Sequence, residues 1–417
     1  MTARLSRPAG FLVAGGTMTA FMAGSAAPAP LYPVYRQLWG FSPFTLTVVF
    51  AVYVAALLAA LLTVGSLSDH IGRRPVVAGG MVLLGAAMAL FLTADGVGGL
   101  VAARIVQGLA TGAITGATSA LIVDLQPRAR VGSLMTGLAP SAGLALGVLL
   151  SGALLQWAPW PRFLVFWILL GLDLLLAALV LAVPERRRVP ADGRALLRAL
   201  RPSVGVAPAA RAAFWAEVPA MASTWALGGL YLSLGSSVVG QLIGVTDEFV
   251  TGVALAVFFA AAAVSSLLVD RLPAPARRPY GYGTLVVGVV LTVVAALTSS
   301  LALDITGSAI AGLGFGGTWV VVMGAVAGAT PPEHRGQTFA AVFVASYLAF
   351  SVPALVAGLL DEHVGLRPIV TGYGGFDVLL VAIAVGAYLL RSRRERALSA
   401  QPAAGRPEPA RGERVAP

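Results

Sequence analysis

The sequence predicts an all-α membrane protein whose 12 transmembrane helices form two pseudo-symmetric six-helix bundles. Of its 417 residues, 58% are hydrophobic and only 11% are charged, and the mean hydropathy is +0.87. A soluble chain carries about 25% charged residues. Apolar runs of about 20 residues, the length that crosses a bilayer, recur along the whole chain. The second half also repeats motifs of the first half at a constant offset.

The apolar runs predict helices in this order: 10–34, 44–64, 76–94, 97–123, 131–156, 162–183, 212–238, 248–269, 281–300, 303–329, 337–360 and 368–390. Ser42-Pro43 and Thr246-Asp247-Glu248 mark two helix starts, since these residues favour N-caps and first turns. An even number of spans places both termini on one side.

The basic residues indicate which side that is. All but four of the 28 lie in segments on the side of the termini. Arg36, Arg162 and Arg367 lie on the other side, and Arg104 lies inside a helix. The positive-inside rule therefore predicts cytoplasmic termini in the cell inner (plasma) membrane. The net charge of +10 then reflects topology and not a nucleic-acid partner.

Four segments follow from these patterns. We expect an N-terminal bundle (1–183), a cytoplasmic central loop (184–211), a C-terminal bundle (212–390) and a disordered cytoplasmic tail (391–417). Arg194, Arg198 and Arg201 lie on one helical face of the loop, which predicts a short helix on the inner lipid headgroups.

Three pairs of motifs recur at an offset of 204 residues. "RQLWGFSP" (36–43) corresponds to "GQLIGVTD" (240–247), and "GLATG" (108–112) to "GLGFG" (312–316). "GLDLLLA" (171–177) corresponds to "GFDVLLV" (375–381), which pairs Asp173 with Asp377. Such a duplication is typical of secondary transporters, which bind their substrates near the midplane between the repeats.

Several motifs resemble those of the major facilitator superfamily. "GSLSDHIGRRP" (65–75) resembles the signature loop between helices 2 and 3, and "ARIVQGLATG" (103–112) resembles the helix 4 motif. "LYPVYRQLWGFSP" (31–43) resembles the end of helix 1 and the first outer loop of twelve-helix drug/proton antiporters.

The resemblance implies a conformational latch that holds the two halves together on the cytoplasmic side. In it, Asp69 would face the start of helix 11, and the arginines would reach the inner end of helix 4. The latch residues are Gly65, Asp69, Gly72, Arg73, Arg74 and Asp124. Alternatively, the arginines only fix the topology.

Four ionisable residues inside predicted helices are candidates for proton coupling. The resemblance ties Arg104 to coupling or to the shape of the cavity; alternatively, it is a structural arginine bonded to carbonyls of helix 1. Glu217 is an acid on a cavity helix, and the alternative is an interfacial carboxylate paired with Arg211 or a neighbour. Asp173 and Asp377 lie at mid-depth on support helices, where an acid is functional by default. The alternative for this pair is structural, with each carboxyl hydrogen-bonded to a neighbouring helix of its own half.

Helices 1, 4, 7 and 10 line the substrate cavity in the family that the chain resembles. The candidate wall residues are Met18, Phe21, Met22, Tyr32, Thr111, Thr115, Trp215, Met221, Trp225, Phe315 and Trp319. Soft and aromatic side chains suit a lipophilic ligand, neutral or cationic. Each of them alone could equally be an ordinary packing residue.

We therefore expect a secondary active transporter that exports small lipophilic or cationic compounds by alternating access, coupled to protons. An importer or facilitator of a small metabolite is an alternative, and a non-transporting membrane receptor is one of another class. The absence of cysteine, of a histidine ligand pair and of a nucleotide-binding loop argues against a metal, a cofactor or enzyme chemistry. The expected partners are the substrate, protons and the lipid bilayer, and the expected state is a monomer.

Overall fold

The computed structural model describes residues 5–65, 67–185 and 204–400, without the side chains of residues 69, 129 and 392–400. Within these ranges the chain is helical and contains no strand. Its long helices are α1 (Arg7–Ala26), α2 (Pro43–Val64), α3 (Arg73–Thr93), α4 (Val97–Leu125), α5 (Ala129–Trp157), α6 (Leu164–Ala182), α7 (Arg211–Ser233), α8 (Glu248–Leu268), α9 (Ala274–Thr298), α10 (Leu301–Ala329), α11 (Arg335–Val364) and α12 (Leu366–Ala400).

The predicted all-α membrane class is confirmed. In the described ranges, 11 helices are long and apolar enough to cross a membrane, and 12 if one bent pair counts as a single span. That pair is Pro208–Ser233 followed by Gly235–Ile243, at an angle of 60°. The sequence predicts one continuous helix over residues 212–238. The chain instead turns at Leu234 and then forms a π-helix over Val238–Ile243.

Two helix starts are capped as the sequence predicts. The Ser42 side chain accepts a hydrogen bond from the Thr45 backbone N–H at 3.2 Å. The Asp247 side chain accepts a hydrogen bond from the Val250 backbone N–H at 2.9 Å. Each cap gives a partner to a first-turn N–H that has none inside the helix.

The ends of two predicted helices differ from the structure. The first run divides into α1 and a short helix, Tyr32–Trp39, because Pro28 and Pro30 cannot donate a helical hydrogen bond. The last helix continues ten residues beyond the expected end of its span at residue 390, to Ala400, since no proline lies between Pro368 and Pro402. The predicted loop helix at residues 194–201 and the rest of the tail lie outside the described residues.

The helices pack with a two-fold pattern. In the first half, α1 packs on α5, α2 on α4, and α3 on both α4 and α6. In the second half, α7 packs on α11, α8 on α10, and α9 on both α10 and α12. The halves meet where α5 packs on α8 and α2 on α11, which are also equivalent pairs. This correspondence agrees with the 204-residue repeat.

Glycines at the repeated "GLATG" and "GLGFG" positions allow the same close approach in both halves. A Cβ atom at Gly108 or Gly112 would run into the backbone of α2, and one at Gly312 or Gly316 would run into that of α8. The repeat therefore preserves a helix-packing device, and α4 and α10 each lie tightly against one neighbour.

We call the end of the bundle where α1 begins and α12 ends the terminal face, and the other end the opposite face. The halves are in contact at the opposite face. There the Glu248 N–H donates to Gln156 at 3.0 Å, and the rings of Trp157 and Phe249 lie 4.7 Å apart. At the terminal face, by contrast, the start of α11 is exposed over residues 332–337.

Candidate functional site

A cavity of about 140 Å³ lies between the two halves. Its lining is aromatic, aliphatic and hydroxylic: Met22, Ser25, Phe50, Tyr53, Thr136, Gly137, Pro140, Ser141, Leu144, Trp225, Gly228, Leu232, Phe259, Ser266, Phe315, Gly316, Trp319, Tyr347 and Phe350. None of these residues is charged. The cavity can therefore hold an apolar or aromatic molecule, and its walls offer few polar contacts.

The cavity extends towards the terminal face. Thr136 lies seven residues into α5, and Ser266 lies two residues before the end of α8. The rings of Phe50 and Phe350, which come from opposite halves, lie 5.0 Å apart near the middle of their helices. Together with the contacts at the opposite face, this pair separates the cavity from that side.

Four of the eleven predicted wall residues line the cavity: Met22, Trp225, Phe315 and Trp319. Trp225 lies at the centre of an aromatic cluster. Its ring centroid is 5.2 Å from that of Trp319, 4.8 Å from that of Tyr347 and 5.8 Å from that of Phe350. These rings, with T-shaped geometry, form the wall that the second half contributes.

The other seven predicted wall residues lie elsewhere. Met18, Phe21 and Met221 are buried in the packed core. Thr111 and Thr115 donate to carbonyls of their own helix, at 2.8 and 2.6 Å, and Trp215 is 66% exposed on the outer surface. Tyr32 binds Arg104. The cavity lining depends on how each helix is rotated about its axis, which hydropathy and residue type do not indicate.

Arg104 is only 1% exposed and joins α4 to the end of α1. Its Nε donates to the Tyr32 hydroxyl at 2.8 Å, and its Nη2 donates to the same oxygen. Its Nη1 donates to the Ser25 carbonyl at 3.1 Å and to Gln107 Oε1 at 2.7 Å. The guanidinium carbon lies 5.1 Å from the ring centroid of Tyr53. The arginine thus faces the bundle interior, as expected for a charge at this depth.

Within the described residues, Arg104 has no carboxylate within salt-bridge distance. Its positive charge is stabilised by neutral oxygens and by aromatic faces. Two of the groups around it, Ser25 and Tyr53, also line the cavity and are joined by a 3.0 Å hydrogen bond. The arginine therefore lies directly behind the cavity wall of the first half.

In the second half, the equivalent helices α7 and α10 are joined by a hydrogen bond between uncharged side chains. Ser308 occupies the position 204 residues after Arg104, and its hydroxyl lies 2.7 Å from that of Tyr231 on α7. The same junction is therefore hydrogen-bonded in both halves, although only one half contains a cation there.

Glu217 forms a bidentate ion pair inside the second half. Arg278 on α9 donates to Glu217 Oε2 at 3.0 Å and to Oε1 at 2.5 Å. The same guanidinium contacts the Tyr282 hydroxyl at 3.1 Å and the ring of Tyr388 at 4.8 Å. Glu217 does not line the cavity. This arrangement favours the paired-carboxylate alternative, with Arg278 as the partner and not Arg211.

Asp173 and Asp377 are both buried, at 3% and 0% exposure. Asp173 makes no hydrogen bond to another described residue. Both carboxyl oxygens of Asp377 are likewise without a partner, although Ser223 on α7 is a polar neighbour. The structure thus places both acids inside their own halves, as expected, but it does not contain the hydrogen bonds that the structural alternative required.

Residues of the predicted latch cluster at the terminal face of the first half. Arg73 forms an ion pair with Asp124 and donates to the Ala120 carbonyl at 2.5 Å. Gly72 adopts a φ of 103°, a conformation that favours glycine. Gly65 ends α2, and Arg74 donates to the Leu181 carbonyl on α6. The side chain of Asp69 lies outside the described part of the structure.

Two acids that sequence reasoning missed also have defined places. Glu185 accepts a hydrogen bond from the Arg73 backbone N–H at 2.5 Å, so it ties the end of α6 to the start of α3. Asp304, in the first turn of α10, is 6% exposed and lines a separate cavity of about 40 Å³ with Tyr231 and Thr292. Both acids lie at or next to a helix end, where acidic residues are common, so the sequence did not single them out.

Comparison with known proteins places this arrangement among membrane transporters. The profile of the Major Facilitator Superfamily matches residues 13–352 and 243–413. The tetracycline resistance protein, class C, of Escherichia coli is 36% identical over 216 residues, which cover 45% of this chain and 52% of that protein. The MFS efflux transporter aclA of Aspergillus oryzae is 36% identical over 147 residues, which cover 32% of this chain and 25% of that protein.

A solved structure shares the fold over most of its length. The bacterial homologue of the human lysosomal transporter Spinster, in an inward-facing and unoccupied conformation, superposes with a TM-score of 0.73. The match covers 91% of this chain and 96% of that one, at 15% sequence identity.

Proposed function

The chain belongs to the major facilitator superfamily, and we propose that it exports small lipophilic compounds across the cell inner membrane by proton-coupled alternating access. The observation that carries the proposal is the uncharged aromatic cavity between two pseudo-symmetric halves, separated from one face by the Phe50–Phe350 contact. Alternating access requires such a site, reached from one side at a time.

The distribution of arginine supports cytoplasmic termini. With that orientation the terminal face is cytoplasmic, and the cavity extends towards the cytoplasm. The shared fold of the Spinster homologue, which was solved facing inward, supports the same assignment for the state seen here. In this state the cavity would collect its substrate from the cell interior or the inner leaflet.

The direction of transport is supported by the relatives. One is named a tetracycline resistance protein and another an efflux transporter. The chain spans about half the length of the first relative and a quarter of the second. A wall of Trp225, Trp319 and Phe315 without a charged side chain suits a lipophilic cargo better than a sugar, which needs several polar partners.

For coupling, we propose that Arg104, Asp173 and Asp377 are the groups to test first. Each is buried, and none has an oppositely charged partner among the described residues. Glu217 ranks below them because Arg278 already neutralises it. We further propose that the Arg73–Asp124 cluster belongs to a latch that contacts the second half in the state closed at the terminal face.

The cavity is complete within one chain, which supports a monomer as the working unit. Its proposed partners are the substrate, protons and the surrounding lipid.

Transport into inverted membrane vesicles tests the proposal. Vesicles acidified inside should accumulate the neutral dye 6-propionyl-2-dimethylaminonaphthalene, which carries a ketone, when they contain the protein, and a protonophore should abolish the accumulation. Vesicles without the protein are the control. Protein-dependent equilibration of the dye that is independent of the proton gradient would indicate a facilitator, and gradient-driven loss of dye from the vesicles would indicate an importer.

A further inference from the structure

We infer that the cavity selects aromatic compounds that bear a hydrogen-bond acceptor and carry no positive charge. The inference rests on the proposed function, because it assigns a substrate class to the same cavity. It departs from the sequence, whose soft aromatic residues are equally compatible with organic cations. The charges and hydrogen bonds around the cavity decide between the two classes.

The first step concerns the missing counter-charge. A buried cationic ligand requires an acid partner or an open aromatic face, since desolvation of an unpaired charge is costly. None of the described residues that line the cavity is acidic. Glu217 is already bound at both oxygens by Arg278. The acid on cavity helix α7 is thus already paired within the protein.

The second step concerns the cation that the protein already contains. Arg104 lies behind Ser25 and Tyr53, which both line the cavity. One face of the Tyr53 ring is therefore in a cation–π contact already, at 5.1 Å. Two like charges roughly 10 Å apart, at an effective dielectric constant of about 20, repel enough to change an affinity about tenfold. Arg104 would therefore repel a cationic ligand in the cavity and attract an anionic one.

The third step concerns unsatisfied donors. The hydroxyls of Ser141 and Tyr347 line the cavity, and neither forms a hydrogen bond to another described residue. A carbonyl, ether or carboxylate on the ligand would provide the acceptor that these groups lack. A quaternary ammonium group has no lone pair to offer, so it would leave these hydroxyl donors without an acceptor.

Binding to the purified protein tests the inference with three probes that share one ring system. The probes are N-methyl-2-naphthamide, 2-naphthoate and 2-naphthyltrimethylammonium, measured by titration calorimetry in lipid nanodiscs. We expect the amide and the carboxylate each to bind at least about tenfold more tightly than the ammonium compound. Equal or tighter binding of the ammonium compound, or no measurable binding of the amide and the carboxylate, would overturn the inference.

Two variants, Arg104→Gln and Tyr347→Phe, test whether these residues produce the ligand preference. Arg104→Gln should reduce the preference for 2-naphthoate over the ammonium compound, whereas Arg367→Gln, at an exposed arginine of the opposite face, should leave it unchanged. Tyr347→Phe should weaken the amide about threefold to tenfold, the loss expected for one hydrogen bond. If Arg104→Gln does not fold, the Tyr347→Phe result alone decides, because an unchanged affinity for the amide would contradict the donor argument.

Binding and transport give separate answers. A charge preference in the binding assay without proton-driven accumulation in vesicles would refute the proposed function and leave the inference standing. Proton-driven accumulation of the ammonium probe in preference to the amide would refute the inference and leave the exporter standing.

Discussion

Arg278 binds both carboxylate oxygens of Glu217, at 2.5 and 3.0 Å, and so joins α7 to α9 inside the second half. The two side chains are 19% and 4% exposed. Water screens such a pair poorly, and loss of either partner leaves the other charge without compensation. We therefore treat the pair as a structural element of its bundle.

Glu217→Gln should lower the free energy of unfolding by about 3 kcal/mol, because it leaves the Arg278 charge buried and unpaired. The double variant Glu217→Gln/Arg278→Gln should recover part of this loss. Thermal unfolding of the purified variants measures both effects.

The exposed pair Arg277–Asp270, at 3.6 Å with side chains 35% and 53% exposed, is the matched control. Arg277→Gln should cost less than about 1 kcal/mol. A Glu217→Gln protein that is as stable as the parent but has lost proton-driven transport would instead assign Glu217 to coupling.

Arg73→Ala should slow transport severalfold while the protein still inserts into the membrane. The substitution removes the ion pair with Asp124 and the 2.5 Å hydrogen bond to Ala120, which together hold the start of α3 against the end of α4. Asp69→Asn should have a similar effect if the latch is conformational. Dye transport is compared with the amount of protein in the membrane, and parental rates in both variants would contradict the latch.

A cross-link between residues 157 and 249 should stop transport, because the rings of Trp157 and Phe249 are in contact across the halves at the opposite face. The chain has no cysteine, so the double variant Trp157→Cys/Phe249→Cys contains only the introduced thiols. A short cleavable thiol cross-linker should abolish dye accumulation, and cleavage should restore it. Each single-cysteine variant is the control. Undiminished transport by the cross-linked protein would show that the opposite face does not need to open.

Asp377→Leu should raise the free energy of unfolding by about 1 kcal/mol or more, since neither oxygen of Asp377 has a partner and an unsatisfied buried polar group costs about 1–3 kcal/mol. The same variant should lose proton-driven transport if Asp377 carries a proton. Asp377→Asn keeps the shape and removes the titration. Thermal unfolding and transport are measured together, with Asp173→Leu and Asp173→Asn as the equivalent pair in the first half. A destabilised Asp377→Leu with an active Asp377→Asn would restore the structural interpretation.

The sequence predicts the twelve-span class and most helix positions because hydropathy and the 204-residue repeat are properties of whole segments. The bend at Leu234 could not be predicted from Gly235 directly after it, because the nearby Gly228 and Gly229 lie inside an unbroken helix. The extension of α12 to Ala400 was missed because arginine-rich composition indicates a tail as readily as a polar helix.

The site was predicted less well, since it depends on which way each helix faces. Met18 and Met22 are one turn apart on α1, yet only Met22 lines the cavity. Residues four apart lie on nearly the same face of a helix, so no local pattern distinguishes these two, and only the packing of α1 against its neighbours does. Glu217 was assigned to the cavity for the same reason, and its partner Arg278 lies 61 residues away. Contacts of this kind are decided by tertiary packing.

The unpaired charge of Arg104 has an electrical consequence. A membrane potential exerts a force on any fixed charge within the bilayer, and it does work on that charge when the surrounding helices move. A displacement across one tenth of a 100 mV drop corresponds to roughly 0.2 kcal/mol for one elementary charge. Only the first half carries such a charge at this junction, since Ser308 is neutral. In the proposed alternating-access cycle, rocking of the two halves would therefore respond to voltage, even for a cargo that has no charge of its own.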